Sequence, residues 1–297
     1  MNIDDNTWLI LLERIKSGRC TPFLGAGACV PAIPPGSTIA GNWARKYNYP
    51  GDNPKNLIEV AQYLAVEFDA LFPKEKILQE VDSAVPPDFN ADDEPHGLLA
   101  DLPLPLYLTT NYDDFMVRAL KSRNRDARRG RCWWHGWTDY NRWIEREPSV
   151  FDNGPPTVGD PVVFHLHGHT TPESIVLTED DYLSFLYSIS DPKLLPKEVA
   201  AALATNTILF IGYKLADWNF RVLFQGVAQS NRNVSIAVLL QSWPGDAFDV
   251  ERLVRESNYL GHYYGKMDVK VYWGTARNFA AELRRRWDAF KAESGNA

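Results

Sequence analysis

The chain has 297 residues, 45% of them hydrophobic and 23% charged, with a formal net charge of -7 and a pI near 5.4. That length allows a sizeable core, and the acidic balance argues against a general grip on nucleic acid. No apolar run approaches the roughly 18 residues of a membrane span, and the acidic start Met1-Asn2-Ile3-Asp4-Asp5 lacks a signal-peptide pattern, so the expected location is cytoplasmic. Cys20, Cys29 and Cys132 stand in no C-x-x-C spacing, which supports neither a disulfide framework nor a zinc ribbon.

Trp8, Leu9, Leu12 and Ile15 recur at helical spacing within residues 3–16, with Gly18 as a stop. Phe23 and Leu24 end a buried strand, and Gly25-Ala26-Gly27-Ala28 follow as a turn whose small residues permit close approach of a backbone to a ligand. Val30 stands three after Gly27, so the full G-x-G-x-x-G fingerprint is absent. From about 39 to 101 the pattern is helical and broken by prolines, which reads as a helical insertion after the first strand, covering one side of a pocket. Pro103 to Leu108 contain the second strand, and Phe115 to Leu120 begin a helix. Residues 121–160 are an excursion, basic from Lys121 to Arg131 and then rich in tryptophan (Trp133, Trp134, Trp137, Trp143); the basic part reads as a solvated loop.

Val162 through His169 read as the third strand, Ile175-Val176-Leu177 as a short extended piece, and Thr178 as the N-cap of a helix with an acidic first turn. A helix around Pro196 to Ala204 leads into a strand, Thr207 to Ile211, that ends at Gly212-Tyr213. A helix bearing Phe220, Leu223, Phe224 and Val227 follows, then a strand from Val234 to Leu240 and a helix near residues 248–256. The last strand, Val269 to Trp273, ends at Gly274-Thr275, and Phe279 to Phe290 form the closing helix with Arg284-Arg285-Arg286 in its last turns. Continuous apolar strands alternating with helices predict an α/β fold, a Rossmann-like doubly wound parallel sheet in one domain over residues 1–297.

In such sheets ligands bind outside the carboxyl ends of the strands. Gly25 and Gly27, Asn111 and Asp113, His167, Gly212, and Gly274-Thr275 all fall there. Each has a plain alternative: Asn111 or Asp113 as a helix cap, His167 as a satisfied core histidine, the glycines as ordinary turns. Breaking a nicotinamide–ribose bond passes through an oxocarbenium-like transition state, which needs orientation, a positioned water and a proton acceptor. Alternation along a strand puts Asn111 and Asp113 on one side, where Asn111 would hold the water or a ribose hydroxyl and Asp113 would accept from a carboxamide. His167, titrating near neutrality, would be the general base.

Taken together these motifs resemble the sirtuin family, in its divergent bacterial branch. Gly25-Ala26-Gly27-Ala28-Cys29 is similar to the family's G-A-G-x-S phosphate loop, with Cys29 in place of serine. Thr110-Asn111-Tyr112-Asp113 resembles its Q-N-I-D motif, Leu166-His167-Gly168 its H-G motif, and Gly212-Tyr213-Lys214 stands where the family has a G-T-S ribose loop. The resemblance spans about Leu12 to Trp287 and implies Asn111 and His167 as catalytic residues. It implies Gly25, Ala26, Gly27, Cys29, Asp113, Gly212, Tyr213 and Thr275 as NAD-binding. The four zinc cysteines of sirtuin deacylases are missing, so no zinc is expected and deacylation or ADP-ribosyl transfer is disfavoured. What remains resembles the sirtuin-like NAD hydrolases of bacterial antiphage defence. That implies NAD+ as substrate, depletion of NAD in abortive infection, a homo-oligomer, and a partner such as a DNA-translocating ATPase. The rival readings are a metal-dependent hydrolase built on the alternating His165, His167 and His169, and a non-catalytic NAD- or ADP-ribose-binding module that gates a partner.

Overall fold

The computed structural model describes residues 3–132, 149–189, 195–213, 235–239, 258–259, 261–262, 265 and 268–294. The helices expected around Phe220 to Val227 and near 248–256, and the Trp133 to Trp143 stretch, lie outside the described residues. Two compact units form, one from residues 1–28, 88–104 and 199–297, the other from 29–87 and 105–198. Elements are numbered in chain order.

The first unit holds β1 (Cys20–Leu24), β5 (Thr207–Tyr213), β6 (Ser235–Leu239) and β7 (Val269–Trp273), paired in parallel in that order. All five residues of β1 are buried, as a strand covered on both faces requires. Helix α1 (Asp5–Lys16) opens on Asp4, whose carboxylate accepts from Thr7 N at 2.8 Å, and it buries Trp8, Leu11, Leu12 and Ile15. Trp8 stacks on Phe279 of the closing helix α9 (Ala276–Ser294) at 5.4 Å between ring centroids, and Tyr272 of β7 meets Phe279 edge-on at 5.1 Å. This aromatic trio ties the two termini of the unit together. The arginine run is not at the helix end. The helix continues to Ser294, and the three side chains form pairs along it, Arg285 with Glu282, Arg286 with Glu282 and Asp5, Arg284 with Asp101. Those carboxylates, rather than the helix dipole, explain the run. Helix α5 (Pro95–Asp101) also belongs here, capped by the buried Glu94, which accepts from Gly97 N.

In the second unit β3 (Arg128–Arg131), β4 (Val162–His165) and β2 (Leu106–Thr109) pair in parallel in that order. The helical insertion supplies α2 (Gly36–Lys46), α3 (Leu57–Glu67) and α4 (Phe72–Asp82). Their apolar faces build a core of Trp43, Val60, Leu64 and Ile77, completed by Ile175 and Leu177 from the chain after β4. Helices α6 (Phe115–Lys121) and α7 (Glu179–Ile189) follow, and α8 (Lys197–Thr205) leads into β5. Thr178 caps α7 as the sequence suggests: its hydroxyl accepts from Asp181 N at 3.2 Å, and Asp181 accepts in return from Thr178 N at 3.0 Å.

The basic stretch is only partly a loop: residues 122–127 turn at the surface, but Arg128–Arg131 form a strand. Its arginines satisfy carbonyl groups, Arg128 reaching Val150 O at 2.7 Å and Asp160 at 2.9 Å, and Arg125 reaching Val158 O at 2.7 Å. Composition reads cations as exposed, but here they close the backbone accounts of a neighbouring loop. The third strand is also shorter than expected, ending at His165. The α/β class itself stands: every described strand pairing is parallel, with helices between the strands, in a Rossmann-like arrangement.

Candidate functional site

In the first unit the turn after β1 is one tight 3-10 turn, Ala26–Ala28, in which Ala28 N donates to Gly25 O at 2.9 Å. Gly25 N donates to Ile211 O at 2.9 Å, so the turn is sewn onto β5. Gly212 sits at φ +83, where the register of β5 against β6 shifts. A Cβ on Gly212 would stand 2.3 Å from Ala28 N and 2.7 Å from Gly25 O; one on Gly27 would stand 2.9 Å from Gly212 Cα. The small residues therefore serve first to let two backbones interlock. Tyr213 belongs to the same assembly, its hydroxyl donating to Leu24 O at 3.0 Å and its ring edge-on to Phe23 at 5.5 Å. Gly25, Ala26, Gly27, Gly212 and Tyr213 are thus brought together. Thr275 opens α9, which packs against the Ala26–Ala28 turn; its hydroxyl accepts from Asn278 N at 3.0 Å and its N–H donates to Asn278 Oδ1 at 3.2 Å, capping that helix.

Gly212→Ala is expected to destabilise the fold by about 3 kcal/mol, since it adds left-handed strain to a clash with rigid backbone. Urea unfolding checks this, and a loss below about 1 kcal/mol would mean that the interlock has slack.

Cys29, next in the chain after Ala28, belongs to the second unit and is buried. Its sulfur accepts from Asn111 Nδ2 at 3.2 Å and its thiol donates to Asp113 Oδ2 at 3.1 Å. The residue in the serine position thus joins the two residues of the motif that follows β2. Strand alternation is not what sets Asn111 and Asp113 side by side, because β2 ends at Thr109. They share a loop fixed by Asn111 N donating to Thr109 Oγ1 at 2.9 Å and by Phe115 N donating to Asp113 Oδ1 at 3.0 Å. Asp113 is both a helix cap and a member of the cluster. Sequence reasoning missed one further member: His165 Nδ1 donates to Asn111 O at 2.9 Å, which fixes the tautomer and holds the loop to the end of β4.

His167 is 6% exposed, and its Nε2 has no hydrogen-bond partner among the described residues. The ring is edge-on to Tyr182 at 5.4 Å and to Phe185 at 4.8 Å, both on α7, and Val176 N donates to its carbonyl at 3.1 Å. Burial pushes the imidazole down to about 3, against a weak pull upward from Asp181. The expectation of a histidine titrating near neutrality is corrected by that dry aromatic wall. At neutral pH His167 is an uncharged ring with a buried lone pair or N–H awaiting a partner.

The expected three-histidine metal strand does not form either. Beyond His165 the chain turns, with Gly168 at φ +75. His165 and His169 pair with centroids 4.4 Å apart, whereas His167 packs on α7. His169 is also pushed down to about 3, by burial first and then by His165, Arg131 and Arg129. Alternation required a strand through residue 169, and the strand stops short.

The SIR2-like domain family matches residues 105–260, just over half of the chain. NAD(+) hydrolase ThsA of Acinetobacter baumannii (strain 532279) is 25% identical over 218 residues, covering 70% of this chain and 39% of that protein. NAD(+) hydrolase ThsA of Bacillus cereus (strain MSX-D12) is 31% identical over 136 residues, covering 45% of this chain and 24% of that protein. Defense-associated sirtuin 2 of Bacillus subtilis is 29% identical over 154 residues, 49% of this chain and 13% of that protein. The chain therefore spans well under half the length of these relatives. With the family match covering residues 105–260, which include the Asn111 loop, the histidine turn and Gly212, the chain belongs to the SIR2-like family.

Proposed function

We propose that this chain hydrolyses NAD+ at the bond between nicotinamide and ribose. Water adds to the ribose C1′, the bonding pair leaves with nicotinamide, and the water's second proton is released, giving ADP-ribose. The observation that carries the reading is the buried Nε2 of His167 in the H-G motif, without a partner among the described residues; as the Nδ1–H tautomer it would accept from an arriving hydroxyl or water. An uncharged, pre-placed imidazole orders that hydroxyl without first having to lose a proton.

The amide of Asn111, oriented by the Cys29 sulfur, holds the water or a ribose hydroxyl, and Asp113 accepts from the nicotinamide carboxamide. The backbone of Gly25, Ala26 and Gly27, braced by Gly212 and Tyr213, takes the pyrophosphate. Thr275, spent on its helix cap, lines the adenine end at most through its backbone.

The hydrolase names of two relatives support NAD+ as substrate, and the name of a third supports a role in defence, which on this reading is depletion of the NAD pool. In that setting the chain works as a homo-oligomer, held off until a trigger or a partner such as a DNA-translocating ATPase releases it. No helix among the described residues is long and apolar enough to cross a membrane.

The test is incubation with NAD+ and chromatography of the products, alone and in each oligomeric or partner-bound state. Nicotinamide and ADP-ribose in equal amounts are expected. NAD+ binding without turnover in every state would replace this reading with that of a regulatory NAD- or ADP-ribose-binding module.

A further inference from the structure

The helical insertion reaches the wall of His167 through two side chains that the proposed chemistry does not use. Lys74 of α4 donates to Asp181 Oδ1 at 2.7 Å, and the two side chains are 7% and 8% exposed. The other oxygen of Asp181 accepts from Leu177 N and Thr178 N, both at 3.0 Å. At the preceding residue, Gln62 of α3 grips Asp180, donating to its carboxylate at 2.9 Å and accepting from its N–H at 3.1 Å. Asp181 is followed directly by Tyr182 and, a turn later, by Phe185, the two rings that enclose the imidazole.

We propose that Lys74 and Asp181 are positioning residues for His167: their buried pair pins the start of α7 to the insertion, sets the Tyr182 and Phe185 walls, and cancels the carboxylate charge that reaches the ring. This rests on the reading of His167 as the acceptor in NAD+ cleavage. A surface pair would do little, but a desolvated one has a fixed geometry and a strong field. The titratable groups that face His167 are Asp181 and Tyr182, both on α7, while His165 and His169 pair with each other. Tyr112 reaches the same segment, its hydroxyl donating to Val176 O at 2.6 Å, and Lys74 stands behind Asp181.

The test uses the full chain with Lys74→Gln, Lys74→Arg, Asp181→Asn and the neutral double variant Lys74→Gln/Asp181→Asn. Lys74→Gln is expected to lower kcat for NAD+ about tenfold with KM within about twofold, and Lys74→Arg to restore it. The double variant, with no charge left to cancel, is expected to recover most of the loss. Independently of turnover, 15N spectra of the histidine rings, with His167 assigned from His167→Gln, are expected to shift in Lys74→Gln and return in the double variant. If Lys74→Gln does not fold, Asp181→Asn, which breaks the same pair, is expected to lower kcat about tenfold and shift the His167 signal, and wild-type behaviour there overturns the proposal. A folded Lys74→Gln with unchanged kcat and an unmoved His167 signal overturns the proposal. An inactive wild type would remove the NAD+ reading and leave the ring spectra to decide the positioning claim.

Discussion

His167→Ala is expected to lower kcat for NAD+ cleavage at least 100-fold, about 3 kcal/mol of barrier, with little change in KM. The ring's contribution arises as the attacking water gains positive charge and begins to shed its proton, so its loss is felt in the transition state more than in the bound substrate. Its Nε2 is buried without a partner, so its removal takes away no existing hydrogen bond. The change leaves only a gap against Tyr182 and Phe185, and the variant should stay folded. Asn111→Ala is expected to match that loss in kcat but to raise KM as well, because the amide meets the ribose in the bound state and also anchors the Cys29 sulfur. The double variant should be little worse than either single one, as residues acting on the same water do not contribute independently. Steady-state kinetics of the three variants, with circular dichroism to confirm folding, is the measurement. A kcat above about one third of wild type for His167→Ala would remove the ring from the chemistry.

The parallel α/β class was legible because its strands are what sequence reads best. Runs such as Ile208 to Ile211 are apolar end to end, as burial on both faces demands. Arg128 to Arg131 was not legible as a strand, since four residues with three arginines look solvated until Val150 and Asp160 are in place to receive Arg128. Residue types marked the candidate positions, but their uses depended on partners distant in the chain. A glycine at Gly212 signals a turn; that it must be glycine because Ala28 and Gly25 press on it is a tertiary fact. The sulfur of Cys29 reaches two residues more than 80 positions away, at separations of 82 and 84. Thr275, by contrast, shows how a helix cap and a ligand contact look alike in sequence, because both call for a small polar side chain after a strand. The protonation of His167 was beyond pattern reading altogether, being set by rings on a later helix.

That burial makes the fold acid-sensitive in a defined window. His167 and His169 are each pushed from 6.5 to about 3 in the folded state, so the unfolded chain binds their protons first. Above the unfolded value neither group alters stability with pH; below it, stability falls as pH drops toward the folded value, where the loss is complete. At pH 5 the expected loss is about 2 kcal/mol for each ring, a sizeable share of the stability of an ordinary domain. His165, also lowered by burial and packed against His169, acts in the same direction. Carboxylates held low by arginines, Asp93 and Glu282 among them, lose their contribution only below their unfolded values near 3.8 and 4.5. The interval from pH 6.5 to 5 therefore isolates the histidines. Urea unfolding across that interval is expected to show falling stability, and His167→Gln to remove about 2 kcal/mol of the fall at pH 5. An identical slope in wild type and His167→Gln would mean that His167 is hydrated and charged in the folded protein, and with it the dry acceptor on which the proposed cleavage depends would be gone.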